Sequence, residues 1–233
     1  MKHMANKKIL LFLVEGKSDE VALGLALSNL YETEMVHVQI THGDITTKDE
    51  IRPNDIAKEV AQYVKKFATE YGLKPSDFCK LVHIVDMDGA YISDEAITED
   101  QKLCKPVYEL DKIIAPNGSG LVFRNKCKRE NLEKLLKTST IWRTIPYQVY
   151  YMSCNLDHVL YNKMNSTDEE KKNDAKAFEK KYKKDPKGFK RFISSSEFSI
   201  SAGYDYMSSW KFIKEQNHSL ERHTNLGVLL EEG

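Results

Sequence analysis

Apolar residues fall along this chain in two rhythms. Short unbroken runs, Ile9 to Val14 and Leu81 to Val85, have the length and β-branched content of strands buried on both faces. Met35 to Thr41 alternates as a half-buried strand does, and Tyr147 to Ser153 reads as a further strand. Between them the spacing is helical. Ser18 or Asp19 is placed to cap a helix running to about Tyr31, and Pro53-Asn54-Asp55 opens another through Ile56, Val60, Val64 and Phe67, ending near Tyr71-Gly72.

Further along, Lys105-Pro106 predicts a helical stretch to about Ile114, and Pro116-Asn117-Gly118-Ser119-Gly120 predicts a loop. Leu121 to Phe123 reads as a short strand, followed by a helix from about Arg129 to Lys137. The tail, Tyr204 to Ile213 and Ser219 to Leu230, reads as two helices. Strands alternating with helices imply an α/β fold with a mainly parallel sheet flanked by helices. The expected division is an α/β domain over residues 7–160 and a helical, lysine-rich C-terminal extension over 161–233 packed on it. Met1, Lys2, His3 and Met4 are set aside as a remnant before the natural start.

Composition narrows the class without choosing a function. With 233 residues and 41% hydrophobic content the chain can bury a full core, and its 35 basic and 35 acidic residues cancel, so nucleic-acid affinity must come from local patches. No long apolar span or secretory signal is present, which makes the cytoplasm the expected location and a membrane an unexpected partner. Cys79, Cys104, Cys127 and Cys154 are singly spaced and read as reduced thiols; Cys154 and His158, four apart, make no zinc site by themselves.

The chemistry gathers where strands stop. Asp86 and Asp88 follow an apolar run and precede Gly89, and two carboxylates at a strand end suit Mg²⁺ or Mn²⁺, with water and substrate phosphate completing the shell. Glu15 ends the first strand, before Gly16, Lys17 and Asp19. If the two strands are parallel neighbours, Glu15 faces Asp86 and Asp88 across one crevice. His42 and Asp44 end the second strand and are supporting candidates, although turn chemistry alone accounts for them. Ser153, Asn155, Asp157 and His158 follow the last strand, where Asn155 is equally placed as a helix cap.

An apolar strand ending in Val14-Glu15-Gly16 with Asp19 close behind, and a later strand ending in Asp86-x-Asp88-Gly89, resembles the TOPRIM domain of topoisomerases, primases and OLD-type nucleases. The resemblance spans roughly residues 7–158 and rests on a handful of positions. It implies a Rossmann-like TOPRIM core, catalytic roles for Glu15, Asp86 and Asp88, and a divalent ion on Glu15, Asp19, Asp86 and Asp88, with Asp157 added from the polar segment after the last core strand. These residues carry neither strand-gating domains nor a primase zinc module, which leaves a nuclease, with phage defence or DNA repair as the settings in which small proteins of this resemblance are found.

Nucleic acid, DNA or RNA, is then the expected partner, beside a protein partner or a second copy of the chain. Lys17, Arg124, Lys126, Lys128 and Arg129 are the candidate phosphate contacts near the edge. Lys183 and Lys184 belong to a lysine-rich stretch interleaved with Phe178, Tyr182, Phe189 and Phe192, which could track a backbone and stack bases, or equally form a charged helix with an aromatic stripe facing the core. Ser93, Asp94, Glu95, Glu99 and Asp100 form an acidic loop that counts against nucleic acid at the same edge.

Two other readings stand beside the nuclease. Val85-Asp86-Met87-Asp88-Gly89 is close to the first motif of haloacid-dehalogenase-type phosphatases, with Asp86 as nucleophile and Asp88 as acid, although Ala90 stands where that motif has threonine. A non-catalytic nucleic-acid-binding or regulatory component of a multi-protein system is the third.

Overall fold

The computed structural model describes residues 7–31, 33–48 and 51–231; the leading Met1 to Met4 lies outside them. In chain order the elements are β1 (Ile9–Val14), α1 (Lys17–Leu30), β2 (Met35–Ile40), α2 (Ile56–Tyr71), β3 (Phe78–Asp86), β4 (Ile97–Glu99), β5 (Val107–Tyr108), β6 (Ile113–Ala115), α3 (Gly118–Leu136), β7 (Thr140–Ile141), β8 (Ile145–Met152), α4 (Leu156–Tyr161), α5 (Asp168–Tyr182), α6 (Pro186–Ile193), α7 (Tyr206–Phe212) and α8 (Leu226–Glu231). The main sheet has the order β2-β1-β3-β8-β7. Its first four strands are parallel, and β7 closes one side as an antiparallel hairpin with β8.

This is an α/β fold with helices on both faces. In β1 the residues alternate between two cores, Ile9, Leu11 and Leu13 facing α2 and the Trp210–Ile213 region, Leu10, Phe12 and Val14 facing α1, α5 and α6. Burial on both faces explains why its sequence is a continuous apolar run rather than an alternating one. The strand order reverses between β1 and β3, since β2 lies on one side of β1 and β3 on the other. Such a switch point opens a crevice at the carboxyl ends of the strands.

Four expectations are corrected. The helix expected from Ser219 to Leu230 forms only over Leu226–Glu231, because the residues before it turn across the strand ends and Thr224 bridges to Met152 and Ser199. The stretch expected to be helical from Lys105 to Ile114 instead supplies β5 and β6, part of a small sheet of order β4-β6-β5 in which Val107 pairs with Ile114 and Tyr108 with Ile113. Leu121 to Phe123 is no strand, because α3 begins at Gly118: Asn117 Oδ1 accepts the Gly120 N–H at 2.8 Å and caps the helix, so the apparent loop is its first turn. In α1 neither Ser18 nor Asp19 is the cap. Gly16 holds that position, and the Asp19 carboxylate reaches back to the Gly16 N–H at 2.8 Å.

Residues 161–231 are built into both cores. Phe178, Tyr182 and Phe189 are buried against the α1 face, which settles the aromatic stripe as core packing rather than a stacking platform. Trp210 and Ile213 fill the other face. The turn around Ser219 closes over the ends of β3 and β8: Ser219 O accepts the N–H groups of Gly89 and Cys154, and His223 O accepts that of Ser153. No helix among the described residues is long and apolar enough to cross a membrane.

Candidate functional site at the carboxyl edge of the sheet

Parallel β1, β3 and β8 deliver their trailing residues to one edge. Glu15 leaves β1 and Asp86 ends β3, so the two meet at the switch point, where the Asp86 N–H donates to Glu15 Oε1 at 3.1 Å. Asp86 Oδ1 in turn accepts the N–H of Leu156, the first residue of α4, at 2.9 Å. Among the described residues neither acid is ion-paired. Burial, then the charges of Asp44 and Asp88, raise the Glu15 carboxyl well above its ordinary range. For Asp86 the upward shift comes from burial and then from Glu15, Asp19 and Asp88.

Asp19 and Asp157 flank this pair. Burial pushes Asp19 up to about 6, against the pull of its bond from Gly16. Asp157, in the first turn of α4 behind the Asn155 cap, is 4% exposed and raised by burial, with Lys171 Nζ of α5 at 3.5 Å from its Oδ2. Burial opposes the charge on Lys171, but Asp157, Asp86 and Asp19 outweigh it and hold the ammonium above its ordinary value. Its side chain is 42% exposed, so this cation from the C-terminal extension stands at the mouth of the acidic edge. The lysine-rich composition around it gave no signal that this residue would be the one to reach the site.

Asp88 has a different partner. Its backbone is left-handed, φ +48°, with its N–H on Cys154 O at 2.6 Å, and its carboxylate accepts from Lys128 Nζ at 2.6 Å. The same ammonium reaches Asp44 Oδ2 at 2.7 Å, and the Lys128 side chain is 0% exposed. Burial disfavours its charge, yet Asp44, Asp88 and Glu15 outweigh burial and raise it. Asp44 would be raised by burial as well, but Lys128 and the bonds from Thr46 hold it below the usual carboxylate range. His42 at the same strand end is exposed and joins none of this.

The basic cluster on α3 therefore points inward. Arg124 donates to Asp88 O at 2.8 Å and to Tyr108 Oη at 3.1 Å, and Arg129 donates to Ala90 O at 2.8 Å. With Lys128 they fasten the Asp88–Ala90 turn, and Lys128 is sealed from any phosphate outside. Lys126 faces solvent, as do Lys183 and Lys184 beyond the last turn of α5, and Lys17 is exposed and paired with Glu20. Asp94 of the acidic loop lies 3.9 Å from Arg129. A cleft of about 520 Å³ runs along β2 between Glu20 and Tyr71, apart from the paired acids.

No protein-family model, curated protein or solved structure matches this chain. Among the described residues no three His, Cys, Asp or Glu side chains converge into a ready-made cage for an ion. Mg²⁺, however, is usually held on one or two carboxylates with water and substrate phosphate for the rest. The hard oxygen donors of Glu15 and Asp86, half-buried beside further acids and without an ion-paired partner among the described residues, fit a hydrated ion of that kind.

Proposed function

We propose that the chain is a metal-dependent phosphoryl-transfer enzyme, a nuclease with a TOPRIM-like core that cleaves DNA or RNA. The observation that carries this is the meeting of Glu15 and Asp86 at the switch point of a parallel sheet, two acids that burial and then the like charges around them raise, a state that a divalent cation would relieve. Glu15 and Asp86 would hold Mg²⁺ or Mn²⁺, which when bound supplies charge neutralisation at a phosphate and a more acidic water.

The chain's own groups do the rest. Leu156 N–H and Asp86 N–H fix the two carboxylates, so neither must reorganise when substrate arrives. Lys171 offers a half-exposed ammonium to a phosphate entering beside Asp157 and Asp19. The raised carboxyl of Asp19, near 6, suits it to exchange a proton close to neutral pH.

The test is incubation of the full chain with single- and double-stranded DNA and RNA in Mg²⁺, in Mn²⁺ and in chelator, with Asp86→Asn as control and a generic phosphomonoester alongside. Metal-dependent cleavage lost in Asp86→Asn is the expected result. Phosphate release without strand cleavage would replace it with the phosphatase reading, and silence throughout would replace it with a binding component.

A further inference from the structure

Every acid at the edge except Asp44, Asp88 and Asp157 lacks an ion-pair partner among the described residues, and the first two share a single one. The Lys128 ammonium touches Asp88 Oδ2 at 2.6 Å and Asp44 Oδ2 at 2.7 Å, both charge-assisted contacts, in a side chain with no exposed surface. Asp44 is satisfied on its other oxygen too, by the N–H and hydroxyl of Thr46 at 2.7 and 2.5 Å. A divalent ion on either carboxylate would lie against an ammonium whose side chain has no exposed surface. Two cations at such separation repel strongly where water is scarce.

We propose that Lys128 is a fixed cation standing in the place of a metal ion between Asp44 and Asp88. The edge then takes a single divalent ion, on Glu15 and Asp86, and Asp88 is a positioning residue that anchors Lys128 rather than a metal ligand. This rests on the metal-dependent reading of the edge given above. It also explains why the turn carrying Asp88 is bolted down so heavily: a left-handed aspartate held at N–H, C=O and carboxylate cannot swing toward an ion.

Mn²⁺ alone is the probe, with bound ions counted from the loss of the free-ion electron paramagnetic resonance signal on the full chain. One ion per wild-type chain is expected. Asp88→Asn, a residue that tolerates the left-handed backbone, keeps that ion with affinity lowered less than about tenfold, the effect of a neighbouring charge. Glu15→Gln removes a ligand and lowers it about 100-fold or more. Lys128→Met, which keeps the length and drops the charge, gains a second ion.

Two ions on the wild type, or loss of the ion in Asp88→Asn equal to that in Glu15→Gln, would overturn the proposal while leaving a metal site in place. No ion on the wild type would overturn the metal reading itself, a separate outcome. A folded Lys128→Met that gains nothing also counts against the proposal, and should that variant fail to fold by circular dichroism, the comparison of Asp88→Asn with Glu15→Gln decides.

Discussion

The amide of Asp86 donates to the carboxylate of Glu15 across the β1–β3 pair, so the end of one strand holds the side chain that leaves its neighbour. That contact sets a carboxylate beside another that burial and like charge already disfavour as an anion. Glu15→Gln retains the acceptor oxygen and removes the charge. In chelator its melting temperature should exceed that of the wild type, by about 2–4 °C for each kcal/mol of repulsion relieved. In Mn²⁺ the order should reverse, because only the wild type gains stability from the bound ion. Thermal unfolding in both conditions checks this.

His83 gives the acid dependence. It is 1% exposed, its Nδ1 lies 2.9 Å from Tyr147 Oη, and burial pushes its imidazole from 6.5 down to about 4. The unfolded chain therefore binds a proton that the folded chain refuses between those values. Its contribution is complete at pH 7 and is lost as pH falls from 6.5 through 4, amounting to about 3 kcal/mol. His83→Phe with Tyr147→Phe removes the titrating ring without orphaning a buried hydroxyl. Denaturant unfolding from pH 7 to pH 4 should show a smaller loss in the double variant by about that amount.

Gly89 ties the acidic turn to the C-terminal extension. Its φ is +65°, and a methyl there would lie 2.6 Å from Leu220 Cδ2 and 2.8 Å from Ile113 Cδ1. Gly89→Ala should cost about 2–4 kcal/mol, from backbone strain and overpacking together. Leu220→Ala alone leaves a cavity, yet combined with Gly89→Ala it makes room for the methyl, so the double variant should be less destabilised than the sum of the singles. Additive losses in denaturant melts would remove Leu220 as the group that Gly89 accommodates.

Exposure ranks the cations for nucleic acid. Lys171 is half-exposed at the acidic edge, and Lys183 lies twelve residues on, just past the end of the same helix and about 18 Å along its axis. For a strand lying along α5, Lys171→Ala and Lys183→Ala should each lower the slope of log affinity against log salt by about 0.7–0.9, whatever the sequence of the strand. Titrations of a labelled oligonucleotide in Ca²⁺ at several salt concentrations measure it. Unchanged slopes in both would place the nucleic acid elsewhere.

The sequence determined a good deal of this molecule. The apolar runs of β1 and β3, the alternation of β2 and the periodicity of α2 were legible because each depends on neighbours a few residues away. The same holds for Asn155 as a cap and for acids at the strand ends. What failed locally failed for local reasons: the glycines after Asn117 look like a loop until the cap is seen, and strands as short as β5 and β6 carry no period to read.

Only the tertiary structure decided which acids meet and which cations answer them. Strand order brought Glu15 against Asp86, a pairing across 71 residues, and the inward face of α3 buried Lys128 between Asp44 and Asp88. A lysine in solvent and a lysine under two carboxylates have the same letter and similar neighbours in sequence. The difference is desolvation, which depends on everything packed around the group, and that is a property of the folded chain.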